Sequence, residues 1–567
     1  MTNNKMTNNN MSKFKMTFFI PCVLFTVVLA AFVVTGCNGT TTIEDYVETG
    51  GAAAYDPAQP VKISNFTPTQ GGVGQQLVIN GSNFGNDTAK VNVTIGGQKA
   101  VLVNVKGNSL YCFVPAGAFT GEVTVTVGDD AVGKQTAEAA DKFNYQRKMV
   151  AGTLCGYKNA RDDQGWVDGP FATCCGFRNY GFMHFSPYDP NQLFVVYDQE
   201  PYWGVVAHGI QLIDLKKEEV QTILPLSMFN NERLRSIDFA IDPFKYDADG
   251  KIVGRSDATW HSTAPLNERQ WCDHLIIAAD NYDSHNRAHS VYIVDRDAQG
   301  KFSSSSPHRL LACYQQCNGA VLHPVNGELY FNSYADGSVL KMDMDLYWET
   351  VEAEGTWDPY VEDNLYNSAT GSASGTGAFE KLFKVQDNRW NFQIYIHPSG
   401  KYAYIVVINR NYILRTDYDE VNKRFSSPYL VAGKIDSGDF IDGVGKSARM
   451  NFPCQGTFVQ NDEYVKEGRE DVYDFYFCDC YNHSIRSLSP FGIVSTYAGG
   501  SKETHSDNKR EGAEDGELRR VARFYEPTGL ASNFRTDPST GEKTPAFYIL
   551  DSRNCKIRTI AMEKKNP

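Results

Sequence analysis

Short runs in which apolar and polar residues alternate recur through the first part of the chain. Gln76-Leu77-Val78-Ile79, Val91-Asn92-Val93-Thr94-Ile95 and Val123-Thr124-Val125-Thr126-Val127 all follow a period of two. Successive side chains of a strand point to opposite faces, so each run predicts a half-buried strand. Asn80-Gly81, Gly96-Gly97 and Gly128-Asp129 supply turns between them. Past residue 147 the strand signals become more continuously apolar. Examples are Leu193-Phe194-Val195-Val196-Tyr197, Leu275-Ile276-Ile277-Ala278-Ala279, Val291-Tyr292-Ile293-Val294, Glu328-Leu329-Tyr330-Phe331, Tyr402-Ala403-Tyr404-Ile405-Val406-Val407 and Tyr473-Asp474-Phe475-Tyr476-Phe477. The pattern predicts an all-β protein.

Near the C-terminus one template is written twice. Its first copy carries Val431-Ala432-Gly433, Asp442-Gly443, Ala448-Arg449, Pro453, and then Asp479, Asn482, Ile485 and Arg486. The second carries Tyr497-Ala498-Gly499, Asp515-Gly516, Ala522-Arg523, Pro527, and then Asp551, Asn554, Ile557 and Arg558. Alanine precedes proline by five residues and aspartate precedes arginine by seven in both copies. Val150-Ala151-Gly152 followed by Asp168-Gly169 is a third copy of the opening half. Such a period signals stacked units that share a core. Grouping the strands in this frame predicts six blades, near 153–224, 232–312, 316–350, 379–431, 435–498 and 502–562. The last blade lacks a closing strand at its C-terminal end, and Met149-Val150-Ala151-Gly152 is placed to supply it. The repeated Asp and Arg read as structural partners, because a turn is needed in every blade and a ligand site only once.

These motifs carry two resemblances. Phe66-Thr67-Pro68, Gly71-Gly72, Gly74, Ile79-Asn80-Gly81-Ser82-Asn83-Phe84-Gly85, Ile95-Gly96-Gly97 and Val114-Pro115-Ala116-Gly117 resemble the IPT/TIG immunoglobulin-like domain. That resemblance covers residues 60–146 and implies a β-sandwich that acts as a spacer. From residue 147 to 567 the cassette resembles NHL repeats, which implies a six-bladed β-propeller of four-stranded blades.

The N-terminus reads as an address. Lys13 and Lys15 precede an apolar run from Phe18 to Val34, which ends at Val34-Thr35-Gly36-Cys37. This resembles a bacterial lipobox, so residues 1–37 are expected to be a signal peptide with lipidation at Cys37. Read from hydropathy alone, the run also suits a plain membrane anchor. Residues 38–59, with their Gly, Thr and Pro clusters, form a tether.

Composition narrows the chemistry. A net charge of −13 without long Lys/Arg runs speaks against nucleic acid and against an anionic membrane surface. Nucleophile elbows, phosphate loops and His-Glu-x-x-His are all missing from the sequence. His285 and His289 share a spacing suited to a metal on a helix, but their neighbours predict a hairpin loop; Asp247-Ala248-Asp249-Gly250 reads as a polar turn. No cofactor or metal is predicted. Cysteines lack zinc-finger spacing and read mainly as buried thiols.

Large aromatics in irregular stretches are the candidate ligand contacts: Trp166, Tyr202, Trp203, Trp260, Trp271, Trp357, Tyr360 and Trp390. Flat rings stack on sugar C–H faces while nearby polar groups bond the hydroxyls. The order of lipid cysteine, tether, IPT/TIG domain and propeller resembles surface lipoproteins of polysaccharide-utilisation systems. It implies non-catalytic capture of a polysaccharide or oligosaccharide at the outer membrane, facing the cell exterior. It also implies a transporter complex as partner and membrane attachment through the lipid alone. Two rival readings remain. One is a surface scaffold or adhesin. The other is a lyase or hydrolase, which would need histidines such as His184, His274, His323 and His397 to converge.

Overall fold

The computed structural model describes residues 53–115, 117–156, 166–178, 180–197, 209–241, 243–247, 251–255, 273–281, 287–385, 391–500, 509–536 and 541–563. Residues 60–145 build two facing antiparallel sheets. One orders Lys62–Thr67, Gln76–Ser82, Ser109–Phe113 and Val101–Lys106; the other orders Gln98–Lys99, Val91–Ile95, Val123–Val127 and Gln135–Glu138. Alternation sets the fold here. Val93, Ile95, Val123, Val125 and Val127 turn inward onto Leu77, Ile79, Phe84 and Phe143, all at most 1% exposed. The intervening Asn92, Thr94, Thr124 and Thr126 face outward, where Thr94 and Thr124 pair across the strands.

Most of the remaining strands form six sheets, antiparallel in their main strands, arranged as propeller blades; Phe244–Tyr246 and Ile252–Arg255 make a separate two-stranded hairpin. The innermost strands of the blades are Gly181–Phe185, Arg233–Ile241, Ala320–Leu322, Phe392–Ile396, Pro453–Gln460 and Pro527–Thr536. The sixth blade is closed as the repeat frame predicts. Met149–Cys155 pairs antiparallel with Lys556–Met562, placing Val150 opposite Ala561 and Ala151 opposite Ile560. A long apolar core runs through the ring, with Leu275, Phe477, Ile485, Leu530 and Ile549 fully buried.

One blade boundary differs from the sequence expectation. Phe379–Lys384 was grouped with the fourth blade, but it is the outer strand of the third, paired with Ser338–Met342. The reason is an insertion between those two strands. It folds as the helix Met344–Glu352 and the hairpin Leu365–Asn367 with Ser372–Ala373, which extends the same sheet. Asp343 caps the helix by accepting from the Asp345 and Leu346 amides, and Met344, Tyr347 and Trp348 bury its inner face.

The repeated charges are structural. Arg486 donates to Asp479 (2.6 Å) and to Asp442 (2.9 Å), and also to the carbonyls of Arg449 and Ile441. Arg558 repeats the set with Asp551 (2.9 Å), Asp515 (2.6 Å) and the carbonyls of Arg523 and Glu514. Asp479 accepts from the Asn451 amide and the Asn482 side chain; Asp551 accepts from the Tyr525 amide and the Asn554 side chain. Burial pushes the carboxyls of Asp479 and Asp551 up to about 6, against the pull of the neighbouring guanidinium. All ten described cysteines are buried. Among the described residues no helix is long and apolar enough to cross a membrane.

Candidate ligand site in the propeller channel

The six innermost strands enclose a central cavity of about 260 Å³ to which every blade contributes. Its polar lining comes from His184, Ser236, Asp238, Gln393, Gln455, Thr457 and Ser532, set among Phe182, Ile237, Tyr395 and Phe458. That mixture is the usual make-up of a small-molecule pocket, although the volume lies just under the common range of about 300–1,000 Å³.

Several of these polar groups are already committed to holding blades together. Ser236 and Asp238 of the second blade accept from the Ala320 and Leu322 amides of the third, at 3.0 and 2.7 Å. Gln393 of the fourth donates to the Asn318 carbonyl at 2.5 Å. Gln455 of the fifth reaches two blades: it accepts from the amides of Leu530 (3.0 Å) and Met183 (2.8 Å) and donates to the Met183 carbonyl (2.6 Å). Thr457 and Ser532 share a bond of 2.9 Å.

His184 and Asp238 lie side by side in the lining. His184 Nε2 lies 3.4 Å from Asp238 Oδ1, and its Nδ1 lies 2.6 Å from the Phe185 carbonyl. That carbonyl can only accept, so Nδ1 carries a proton. Nε2 then carries one only in the imidazolium form. Burial holds the Asp238 carboxyl above its usual range, and His184 opposes that shift. The pair can accept from or donate to a ligand hydroxyl.

The four histidines named for an enzymatic reading do not converge. His184 faces the channel, but His274 is tied to Asp295 at 2.8 Å beside Trp348. His323 bonds the Gly400 carbonyl at 3.0 Å, and His397 bonds Ser399 at 2.7 Å. Each closes a turn or a strand end of its own blade or a neighbouring one. Among the described residues no three His, Cys, Asp or Glu side chains gather as a cation site. His289 bonds Glu232 at 2.6 Å, and Asp247 accepts from the Lys251 amide in a turn; His285, Asp249 and Gly250 lie outside the described residues.

The tryptophan-based candidates divide in two. Tyr202, Trp203, Trp260, Trp271 and Trp390, with Cys37, lie outside the described residues. Trp166 packs 4.2 Å from the Tyr197 ring and edge-on to Phe177, over Gly176, where any Cβ would meet the indole at 2.3 Å. Trp357 donates its indole N–H to the Leu311 carbonyl at 2.9 Å and packs edge-on against Tyr347 and Phe379. Both rings pin connections onto blades. Tyr360 sits under the Arg287 guanidinium at 4.2 Å and bridges to Cys313. These three are not brought together with the channel lining. His184 is one of the histidines named from the sequence, but its approach to Asp238 leaves no mark there, because the two lie on strands of different blades.

The architecture defines an immunoglobulin-like sandwich joined to a six-bladed β-propeller. The IPT/TIG domain family matches residues 60–145. No curated protein matches the chain. Solved structures do, among them three from Bacteroides. A Bacteroides thetaiotaomicron protein provisionally described as a phosphatase is 42% identical, with a TM-score of 0.73, over 91% of this chain and 99% of that one. An auxiliary nutrient binding protein from the same species is 36% identical, with a TM-score of 0.64, over 90% and 100%. An auxiliary nutrient binding protein from Bacteroides ovatus is 28% identical, with a TM-score of 0.54, over 90% and 100%. The chain belongs to the family of IPT/TIG-propeller proteins that these Bacteroides structures represent.

Proposed function

We propose that this protein is a non-catalytic nutrient-binding protein of the cell surface, and that the nutrient is a glycan taken up by a polysaccharide-uptake system. The observation that carries this reading is the 36% identity, across 90% of the chain, to an auxiliary nutrient binding protein. A channel lined by both hydroxyl-bonding groups and aromatic walls suits a polyhydroxylated ligand. The lipobox-like Val34-Thr35-Gly36-Cys37 and the tether behind it support attachment to the outer membrane through lipid at Cys37, facing outward. In such a system the partner is an outer-membrane transporter complex.

Three measurements test the proposal. In affinity electrophoresis through gels cast with individual polysaccharides, the protein is expected to be retarded by at least one; unchanged mobility on the whole panel overturns glycan capture. In cells fed labelled palmitate, the wild type is expected to take up label and Cys37→Ala is not. External protease should digest the anchored protein on intact cells, and full protection would exclude an outward-facing location.

A second reading, a hydrolase, rests on the phosphatase description of the 42% identical relative. Release of p-nitrophenol from p-nitrophenyl phosphate at a rate well above buffer would favour it over non-catalytic capture. A scaffold role would instead show as a stable protein partner and indifference to glycans.

A further inference from the structure

Three consecutive blades, the fifth, sixth and first, each place a residue of one cluster immediately before the innermost strand. These are Phe452, Glu526 and Tyr180, preceding Pro453, Pro527 and Gly181. Phe452 and Glu526 adopt φ of 60° and 52°. The left-handed region is disfavoured for residues with a Cβ, and a following proline favours extended backbone. The repeated aspartates help hold this geometry. Asp479 and Asp551 bind the amides of Asn451 and Tyr525, one residue upstream of Phe452 and Glu526. The amides of Cys480 and Arg553 complete the brace on the carbonyls of Phe452 and Tyr525. Strain of this kind persists where the surroundings over-determine it, and it concentrates at ligand sites.

The side chains so presented form one cluster. Phe452 stacks on Tyr481 with centroids 4.6 Å apart and planes 28° apart, and it tilts against Tyr180 at 6.2 Å. The Tyr180 hydroxyl donates to Glu526 at 2.6 Å, and Arg553 donates to the same carboxylate oxygen at 2.8 Å. The Glu526 amide donates to His483 Nδ1 at 3.2 Å. Tyr481 is 42% exposed and the Arg553 side chain 55%. An open aromatic face therefore lies beside a fixed carboxylate and a fixed guanidinium, where the first strands of three blades enter the channel wall.

We infer that Tyr481, Phe452 and Tyr180, with Glu526 and Arg553, form a carbohydrate platform at this end of the channel. A pyranose ring would stack on the exposed Tyr481 face, and its hydroxyls would bond Glu526 and Arg553. The inference rests on the glycan-capture reading and gives it a location. The two residues before the prolines differ in chemistry between the copies of the template, Asn451-Phe452 in one and Tyr525-Glu526 in the other. Bracing is common to both blades, whereas recognition needs different groups in each.

The test is affinity electrophoresis of the full mature chain in gels cast with starch, arabinoxylan, pectic galactan or chondroitin sulfate. On the polysaccharide that retards the wild type, Tyr481→Ala and Glu526→Gln are each expected to weaken binding by about tenfold or more. Tyr481→Phe keeps the ring and should stay within about threefold of wild type. Phe491→Ala removes a ring that is 63% exposed outside the cluster and should bind as wild type. Melting curves confirm that each variant is folded. Retardation of Tyr481→Ala and Glu526→Gln equal to wild type overturns the platform while leaving glycan capture standing. Absence of retardation for the wild type on every polysaccharide overturns both.

Discussion

At the scale of single residues, the buried ion pairs of the repeat are the most exacting feature. Arg558 and Asp551 are both wholly buried, and each is held by several further bonds. Removing one partner of such a pair leaves a charge without compensation, so Arg558→Met is expected to cost about 3–5 kcal/mol near neutral pH. The pH dependence has a definite sign. The folded-state pKa of Asp551, about 6, stands above its value in the unfolded chain. The folded state therefore holds the proton more tightly, and the contribution is fully present at low pH and lost as pH rises towards and through about 6. Without the guanidinium that pKa rises further, so the deficit of Arg558→Met should shrink between pH 8 and pH 5. Urea unfolding of Arg558→Met against wild type across that range checks it; a deficit that grows on acidification would contradict the assignment. Trp357→Phe tests a smaller term. It keeps a ring but loses the bond to the Leu311 carbonyl, at an expected cost of about 1 kcal/mol plus any packing loss, read from the same curves. The structural role of Asp479, Arg486, Asp551 and Arg558 was legible in the sequence, because the same residues recur at the same spacing. The pairing of His184 with Asp238 was not, because facing partners on different blades leave no trace in local spacing.

At the scale of elements, period-two alternation revealed the sandwich strands and the repeated cassette revealed the fifth and sixth blades. The missing final strand even pointed to Met149–Cys155 as its replacement. The third blade was misframed for a physical reason. Thirty-six residues, 343–378, separate its third and fourth strands, and the helix inside them hides the continuity of the sheet. The aromatic ligand candidates suffered from a related ambiguity: rings in irregular segments also serve to fasten those segments, as Trp166 and Trp357 do. The closing strand gives the test at this scale. Ala151 sits between Lys556–Met562 and Gly516–Glu517 and is 3% exposed. Ala151→Pro removes a ladder donor in the middle of a sheet and should cost about 3 kcal/mol or more. The loss should appear as a lower midpoint for the whole propeller, followed by near-ultraviolet circular dichroism. A shift confined to the sandwich would show that the closure does not bear on the ring.

At the scale of the whole molecule, sandwich and propeller meet on one buried carboxylate. Glu563 accepts from the Tyr145 hydroxyl, from the Gly117 amide (3.3 Å) and from the Lys148 amide (3.1 Å). Gly72 is packed so closely that a Cβ would meet the Gln146 carbonyl at 2.3 Å, and Arg147 pairs with Glu542 at 3.1 Å. Glu563→Ala leaves two amides and a phenol without their acceptor. It should cost about 1–3 kcal/mol and speed trypsin cleavage at Arg147 and Lys148. Cleavage at the wild-type rate would mean that the junction is held by other contacts. The pairing of Met149–Cys155 with Lys556–Met562 has a further consequence, for the order of events in the chain's making. The strand that completes the ring is synthesised before any of the six blades, and its neighbour is made after every other strand of the propeller. Until that neighbour arrives, the early strand has an unsatisfied edge and the blades cannot lock. The propeller should therefore fold slowly, with closure following the synthesis of its last strand. A product broken off anywhere in the propeller would carry an open sheet edge, the feature by which unfinished chains aggregate or are removed.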